Sequence, residues 1–334
     1  MKISVCIPTY NRASSLENCL NSIYLNSDLN TISYEVCISD NSSNDSTQEI
    51  ISSFKDKLEI KSHLFDRNYG RVQNYLKVVE IATGDFIWLI GDDDLLLPTA
   101  LKEIYKLIIT NKDIDFFYIN SYSLDSQFLN EYPKPFDTKN IPKGLPKFSK
   151  YKANKKIRFI DLINPKISFD YVGAMFLAVF KRENWVNNQN ILSIAAMNDP
   201  RTFSHYDNTF PHVKIFAKAF AESKAFFYAS ALSVNLMGLR EWSPMSPLIN
   251  LVRLPESLHE YKKNGLSLFR YIQCMNYSHR TFWPDFVRFF IYREKSGYEY
   301  INPLKLFLRS LFFPYAYISP LIYLVDFFRK YQKK

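Results

Sequence analysis

The chain has 334 residues, 47% of them hydrophobic and 16% aromatic. That content excludes a disordered polypeptide and leaves room for one large domain or two modest ones. The formal net charge is +9, unevenly spread: residues 1–120 hold 11 Lys and Arg against 17 Asp and Glu, a net of −6, which leaves +15 for residues 121–334. An acidic first part and a basic later part imply two different partners, and a phosphate-bearing surface is the usual counterpart of the basic one. Cys6, Cys19, Cys37 and Cys274 lack metal or redox spacing, so buried thiols in a reducing compartment are expected. A strand starts directly after Met1, which argues against a signal peptide and for a cytoplasmic protein.

In chain order, Ile3–Ile7 reads as a short apolar strand, followed by a loop at Pro8-Thr9-Tyr10-Asn11-Arg12. Ser14-Ser15-Leu16-Glu17 has the form of a capping box, and Leu16, Leu20 and Ile23 give the helix after it an apolar face. Tyr34–Ser39 is a second strand, ending in a polar loop at Asp40–Asp45, from which Asp45 or Ser46 can cap the next helix. Leu58–Leu64 makes a third strand, Arg67-Asn68-Tyr69-Gly70 a turn, and Val72–Ile81 a helix. Phe86–Ile90 is apolar without interruption, as in a strand buried on both faces, and it runs through Gly91 into the carboxylates Asp92, Asp93 and Asp94. Pro98 opens a further helix through Leu101, Tyr105 and Ile108, and Ile114–Ile119 is another strand. Strands alternating with helices at this spacing predict a doubly wound, mostly parallel α/β sheet.

The polar clusters all fall at one end of that sheet, where open α/β sheets bind ligands. Three like charges at a buried strand end need a compensating cation, and hard oxygen donors suit Mg²⁺ or Mn²⁺ carrying a diphosphate. Asp40 is placed to accept from a base or ribose, whereas Arg12, Arg67 and Arg71 are placed to offset phosphate charge. No Gly-x-Gly-x-x-Gly follows the first strand and no phosphate loop of the Gly-Lys-Ser kind is present, which disfavours dinucleotide dehydrogenases and phosphate-loop ATPases.

Four segments in this order and spacing, Val5–Arg12, Ile38–Thr47, Arg67–Gly70 with Asn74, and Gly91–Asp94, resemble the motifs of glycosyltransferase family 2 over roughly the first 120 residues. The resemblance implies a GT-A fold (a Rossmann-like nucleotide-binding half), inversion at the anomeric carbon, and a donor that is a UDP, CDP, GDP or dTDP sugar. It implies Pro8, Thr9 and Tyr10 around the nucleoside and Asp40 on the base. Arg12, Asn68, Gly70 and Arg71 would then lie near the donor, Asp93 would face its sugar, and Asp92 and Asp94 would hold Mn²⁺ or Mg²⁺.

In the later part, Tyr132–Tyr151 is rich in proline and lysine and reads as an irregular connection, a candidate flap over the site. Asp170–Phe180 reads as a buried strand, with a helix starting over Lys181–Trp185. The family often takes its catalytic base from the segment beyond. Here Asp207 is the candidate, with His212 as the alternative and a plain helix cap as the structural reading of Asp207. This segment is also similar to O-antigen transferases of the dideoxyhexosyl (abequosyl) type, which implies surface-polysaccharide synthesis and possession of a lipid-linked acceptor, such as an undecaprenyl diphosphate glycan. Ala229–Leu236 is a further strand candidate, and Arg240 beyond it is placed to neutralise a leaving diphosphate. Leu251–Tyr292 reads as aromatic-rich helices.

Ser310–Val325 carries no charge but is interrupted by Pro314 and Pro320. It is shorter than the roughly 20 apolar residues a spanning helix needs. With six basic residues against one acid from residue 301 onward, it reads as an amphipathic tail in contact with the inner face of the cell membrane. The expected division is a nucleotide-sugar half at 1–125, an acceptor half at 126–245 and a helical region at 246–334. The competing functions are a nucleotidyltransferase acting on sugar phosphates and a basic nucleic-acid-binding protein. No nucleic-acid motif supports the latter, so no nucleic-acid partner is expected.

Overall fold

A computed structural model of the chain describes residues 1–25, 31–199, 201–238 and 243–331. Strands β1 (Ile3–Thr9), β2 (Tyr34–Asp40), β3 (Ile60–Leu64) and β4 (Phe86–Leu89) pair in parallel in the order β3-β2-β1-β4. Every residue of β1 and β4 is buried, as an apolar run sandwiched between helix layers must be. Helices α1 (Ala13–Tyr24), α2 (Thr47–Phe54) and α3 (Arg71–Glu80) make the crossovers. On α1 the residues Leu16, Cys19, Leu20 and Ile23 turn inward, a spacing that places them on one stripe.

Beyond β4 the sheet becomes mixed. The elements are β5 (Asp94–Leu96), α4 (Ala100–Thr110), β6 (Phe116–Asp125), β7 (Lys155–Arg158), β8 (Ala178–Lys181) and β9 (Lys224–Met237). β8 inserts antiparallel between β4 and β6, β9 runs parallel to β6, and β7 and β5 each pair antiparallel with β9. The architecture is the expected α/β sheet of the GT-A kind, and the later half of the chain extends the same sheet. One apolar core accordingly runs from Ile3 to Met275. Trp88, fully buried in β4, donates its indole N–H to the Phe176 carbonyl at 2.9 Å and ties the two halves together.

Three local expectations are corrected. The capping box at Ser14–Glu17 does not form, because the helix begins two residues earlier, with Arg12 as its N-cap, and its Ala13 N–H is taken by Asp45 Oδ2 at 2.9 Å from the neighbouring loop. Asp45 also accepts from Thr47 N–H at 3.1 Å at the start of α2. Asp170–Phe180 is strand only from Ala178. Before it Tyr171 and Val172 are left-handed, with φ of 54° and 64°, because Ser168 and Asp170 gather the backbone of Val172 and Ala174 into a turn. The proline-rich connection is irregular as expected, yet it is pinned rather than free as a flap. Phe136 is buried, its N–H donates to Asn18 Oδ1 at 2.7 Å, and its carbonyl accepts from Asn21 at 3.1 Å.

The C-terminal region packs helices Leu254–Lys263, Leu268–Ser278, Phe282–Tyr292, Pro303–Ser310 and Pro314–Tyr331, with a separate aromatic cluster around Phe203, Phe282 and Phe289. Among the described residues no single helix is long and apolar enough to cross a membrane. Pro303–Ser310 and Pro314–Val325 reach that length and apolarity only as a pair bent by 96°. All four cysteines are free and buried.

One buried carboxylate fastens the strand starts at the end of the sheet away from the acidic turn. Glu35 in β2 is fully buried and accepts from Ser4 Oγ at 2.6 Å and Thr83 N–H at 2.6 Å, with Lys61 at 2.8 Å and Lys2 at 3.0 Å. Burial by itself would raise its pKa, but the Lys61, Ser4, Thr83 and Lys2 donors outweigh burial and hold the carboxyl well below the usual carboxylate range. A depressed folded pKa contributes stability that is present above the unfolded value of about 4.3 and lost as pH falls toward the folded one. Glu35→Ala should therefore lower unfolding free energy by about 2–4 kcal/mol at neutral pH. Urea denaturation measures this, and the deficit should shrink in strong acid.

Candidate active site

The loops after β1, β2 and β4 meet at the acidic turn. Thr9, at the end of β1, donates its hydroxyl to Asp92 Oδ2 at 2.8 Å. Arg12 places Nε 4.0 Å from Asp92 Oδ1 and Nη1 3.6 Å from Asp93 Oδ2. The turn closes on itself, with Gly91 N–H donating to Asp94 Oδ2 at 2.7 Å. A Cβ at Gly91 would stand 2.6 Å from Asp93 Oδ1, so the approach of the carboxylates requires glycine there. Asp94 is buried and its other oxygen accepts from Asn235 of β9 at 2.8 Å. Burial first and the Asp93 charge second push the Asp92 pKa upward, against the pull of Arg12 and Thr9. Holding all three carboxylates ionised in this setting is therefore costly.

Two cavities meet at this turn. The smaller, ≈ 650 Å³, is lined by Pro8, Thr9, Tyr10, Arg12, Asn68, Gly70, Arg71, Asp92 and Asp93, which brings together most of the expected donor residues. Asp40 does not line it. Its carboxylate is buried and occupied by Ser43 N–H at 3.0 Å, Ser43 Oγ at 2.6 Å and Gln48 at 2.5 Å. The adjacent Asn41 lines the cavity instead. Its amide donates to Asn68 Oδ1 at 2.7 Å and accepts from Tyr69 N–H at 2.9 Å, joining the second and third loops, while Asn74 donates to the Thr9 carbonyl at 3.1 Å. Sequence reasoning missed Asn41 and Asn235. The signals available were an amide beside an already chosen aspartate and a polar residue inside the apolar Ala229–Leu236 run.

The larger cavity, ≈ 1220 Å³, shares Arg12, Arg71, Gly91 and Asp93 with the smaller one. It also takes in Asp94 and continues past Asp170, Phe210 and His212 to Arg280. His212 is nearly fully buried, and its Nε2 lies 2.9 Å from the Gly173 carbonyl. A carbonyl only accepts, so that nitrogen carries the hydrogen and Nδ1 is left as a bare acceptor; it has no partner. Burial drives the His212 pKa down to about 4, helped by the Arg71 charge and opposed by the Gly173 bond, so the ring is neutral.

Asp207 lines neither cavity. Its carboxylate accepts from Ser193 N–H at 2.7 Å and from Lys214 at 2.9 and 2.8 Å, so it braces neighbouring segments, while the N-cap of its own short helix is His205. Arg240 lies outside the described residues.

Among the described residues no three His, Cys, Asp or Glu side chains form a ready-made metal cage. The donor chemistry of the turn nevertheless fits a hard divalent ion. Asp93 and Asp94 border the larger cavity and Asp92 the smaller. Such ions are commonly held by one or two carboxylates together with phosphate oxygens and water.

The sequence profile of glycosyl transferase family 2 matches residues 4–177. The chain is 38% identical over 117 residues to the abequosyltransferase RfbV of Salmonella typhimurium, a stretch covering 34% of each chain. It is 35% identical over 108 residues to the GalNAc(5)-diNAcBac-PP-undecaprenol beta-1,3-glucosyltransferase of Campylobacter jejuni, covering 31% of this chain and 34% of that one. The match thus spans about a third of these relatives. In fold it is similar to Staphylococcus aureus TarS 1-349 in complex with UDP-GlcNAc, with TM-score 0.55, 16% identity, and 90% and 89% of the two chains covered. It is also similar to the mannosyltransferase PcManGT of Pyrobaculum calidifontis in complex with GDP-Man and Mn²⁺, with TM-score 0.52, 14% identity, and 99% and 88% covered.

If Asp207 braces the fold, Asp207→Ala leaves Lys214 and the Ser193 N–H without their acceptor and should cost about 2–4 kcal/mol. Double-mutant denaturation with Lys214→Ala should show the two losses to be strongly non-additive. Unchanged stability in the single variant would remove the bracing role.

Proposed function

Because this chain belongs to glycosyl transferase family 2 and is a glycosyltransferase, we propose that it transfers a single sugar from a nucleotide-sugar donor to a lipid-linked glycan during O-antigen or related surface-polysaccharide synthesis. The observation that carries this reading is the acidic turn at the junction of two cavities. The polar cavity behind it suits a nucleoside diphosphate, and the larger one in front suits an acceptor. The donor half (1–125), the acceptor half (126–245) and the helical region (246–334) divide these tasks. The names of the relatives support the donor and acceptor classes: a dideoxyhexosyl transferase, a transferase acting on a PP-undecaprenol glycan, and folds holding UDP-GlcNAc or GDP-Man.

In this reading Pro8, Thr9, Tyr10 and Asn41 enclose the nucleoside above the loop that Asp40 braces, and Arg12 and Arg71 face the diphosphate. Asp92 and Asp94 would hold a divalent ion, which when bound neutralises charge on the departing diphosphate. Asp93, on the wall shared by both cavities, faces the sugar. The acceptor hydroxyl oxygen forms its bond to the anomeric carbon from the side opposite the diphosphate as the carbon–oxygen bond to phosphate breaks, which inverts the centre. The candidate to take the hydroxyl proton is His212, which lines the larger cavity and whose enclosed Nδ1 is left a bare acceptor by the Nε2–H bond to Gly173. His212 is favoured over Asp207, whose oxygens are already held by Lys214 and Ser193.

A membrane-facing role for the last helices, at the inner face of the cell membrane, accounts for their exposed apolar residues. Phe312 is 83% exposed, and Leu304, Leu321 and Phe328 are also out in solvent. Helices with this character lie in the bilayer interface.

Thermal-shift measurements with UDP, CDP, GDP and dTDP in the presence of Mn²⁺ should show one nucleotide raising the melting temperature selectively. No shift with any of them would sink the reading. Asp94→Asn, which keeps the side chain's size, should abolish transfer and the Mn²⁺ dependence of that shift. His212→Ala should lower kcat by about 10²–10⁴-fold while the nucleotide shift persists, and Asp207→Asn should lower stability more than rate.

A further inference from the structure

Four cations that line the larger cavity are absent from the lining of the smaller one. They are Lys150, Lys152, Lys166 and Arg280. Among the described residues none of the four has a carboxylate within the 4.0 Å of an ion pair. Three lysines at or near strand ends of the sheet behave differently. Lys156 and Lys224 share Asp113 at 3.3 and 3.0 Å, and Lys181 is 3.7 Å from Asp115. Those three are paired with carboxylates, whereas the four at the cavity are not.

The four are gathered by a stack of rings. Phe148 lies against Phe169 with centroids 4.8 Å apart, and the Arg280 guanidinium sits 5.7 Å from the Phe169 ring and 4.3 Å from Tyr277. Lys150 and Lys152 follow Phe148 in the chain, Lys166 precedes Phe169, and the three lysines line the same cavity as these two rings and Arg280. This wall also touches the apolar C-terminal helices. Asn276, next to Tyr277, accepts the Tyr315 N–H at 2.9 Å, and Phe269 of the same helix is 78% exposed. Unpaired cations in a concave site with low-dielectric walls concentrate anions, and aromatic rings beside them favour a ligand that is part charged and part apolar.

We propose that Lys150, Lys152, Lys166 and Arg280 form a second anion site, which takes the diphosphate of a polyprenyl-diphosphate-linked acceptor and orients its glycan toward Asp93 and Asp94. This rests on the reading above that the acceptor is lipid-linked. The site draws on the basic later half of the chain, with the lipid passing out between the cavity wall and the exposed helix faces.

The test compares the full-length protein with the triple variant Lys150→Glu/Lys152→Glu/Lys166→Glu, using farnesyl diphosphate, farnesol, phosphatidylglycerol vesicles and the nucleotide panel. Farnesyl diphosphate should bind the wild type about tenfold more tightly than the variant, with an advantage that salt erodes. Farnesol should not distinguish them, and the nucleotide shift should be the same in both. Arg280→Gln should weaken farnesyl diphosphate binding in the same direction at unchanged melting temperature. Equal farnesyl diphosphate affinity in wild type and variant overturns the site. So does a variant that loses only vesicle binding, since the lysines would then serve lipid headgroups. A missing nucleotide shift in the wild type counts against sugar transfer itself, and the farnesyl diphosphate comparison still decides the anion site.

Discussion

Three carboxylates at the end of a buried strand are the constraint to which the rest of this molecule answers. Removing charge from water is costly, and removing like charges together is costlier. The chain offsets part of that cost with the Arg12 guanidinium, the Thr9 hydroxyl, the Gly91 amide and the Asn235 side chain. It does not offset all of it, as the raised pKa of Asp92 indicates. A partly neutralised cluster facing two cavities is a place where a cation would be favourable. The same arrangement in a closed core would only destabilise.

The later half of the chain supplies what the first half cannot hold in place by itself. β8 inserts beside β4, the Trp88 bond to Phe176 ties the two halves together, and Ser168 and Asp170 hold the left-handed turn of Tyr171 and Val172. That turn presents the Gly173 carbonyl to His212 and leaves the other ring nitrogen without a partner. β9 reaches across to hold Asp94. Fold and candidate site therefore share hydrogen bonds, and the second half of the sheet helps to build the acidic turn as well as to pack beside it.

Local chemistry made much of this legible in the sequence. The apolar run Phe86–Ile90 had only one comfortable environment, a strand covered on both faces. The glycine and acids after it could lie only at that strand's end, and loops rich in Asn, Asp and Arg had to gather at the same edge. The helices on either face followed from residues such as Leu16, Leu20 and Ile23, whose spacing leaves one stripe to bury.

What the sequence determined by itself was thus the parallel half of the sheet, the acidic turn and the chemistry expected there, since each depends on neighbours within a few positions. Only the tertiary structure decided the rest, because these contacts join residues far apart in the chain and no periodicity encodes them. Asp207 turned toward Lys214 and Ser193 rather than the cavity, and Asp40 spent its oxygens on its own loop. Asn235 found Asp94 across 141 positions. Which polar side chain faces a ligand and which braces the fold is settled by what packs beside it.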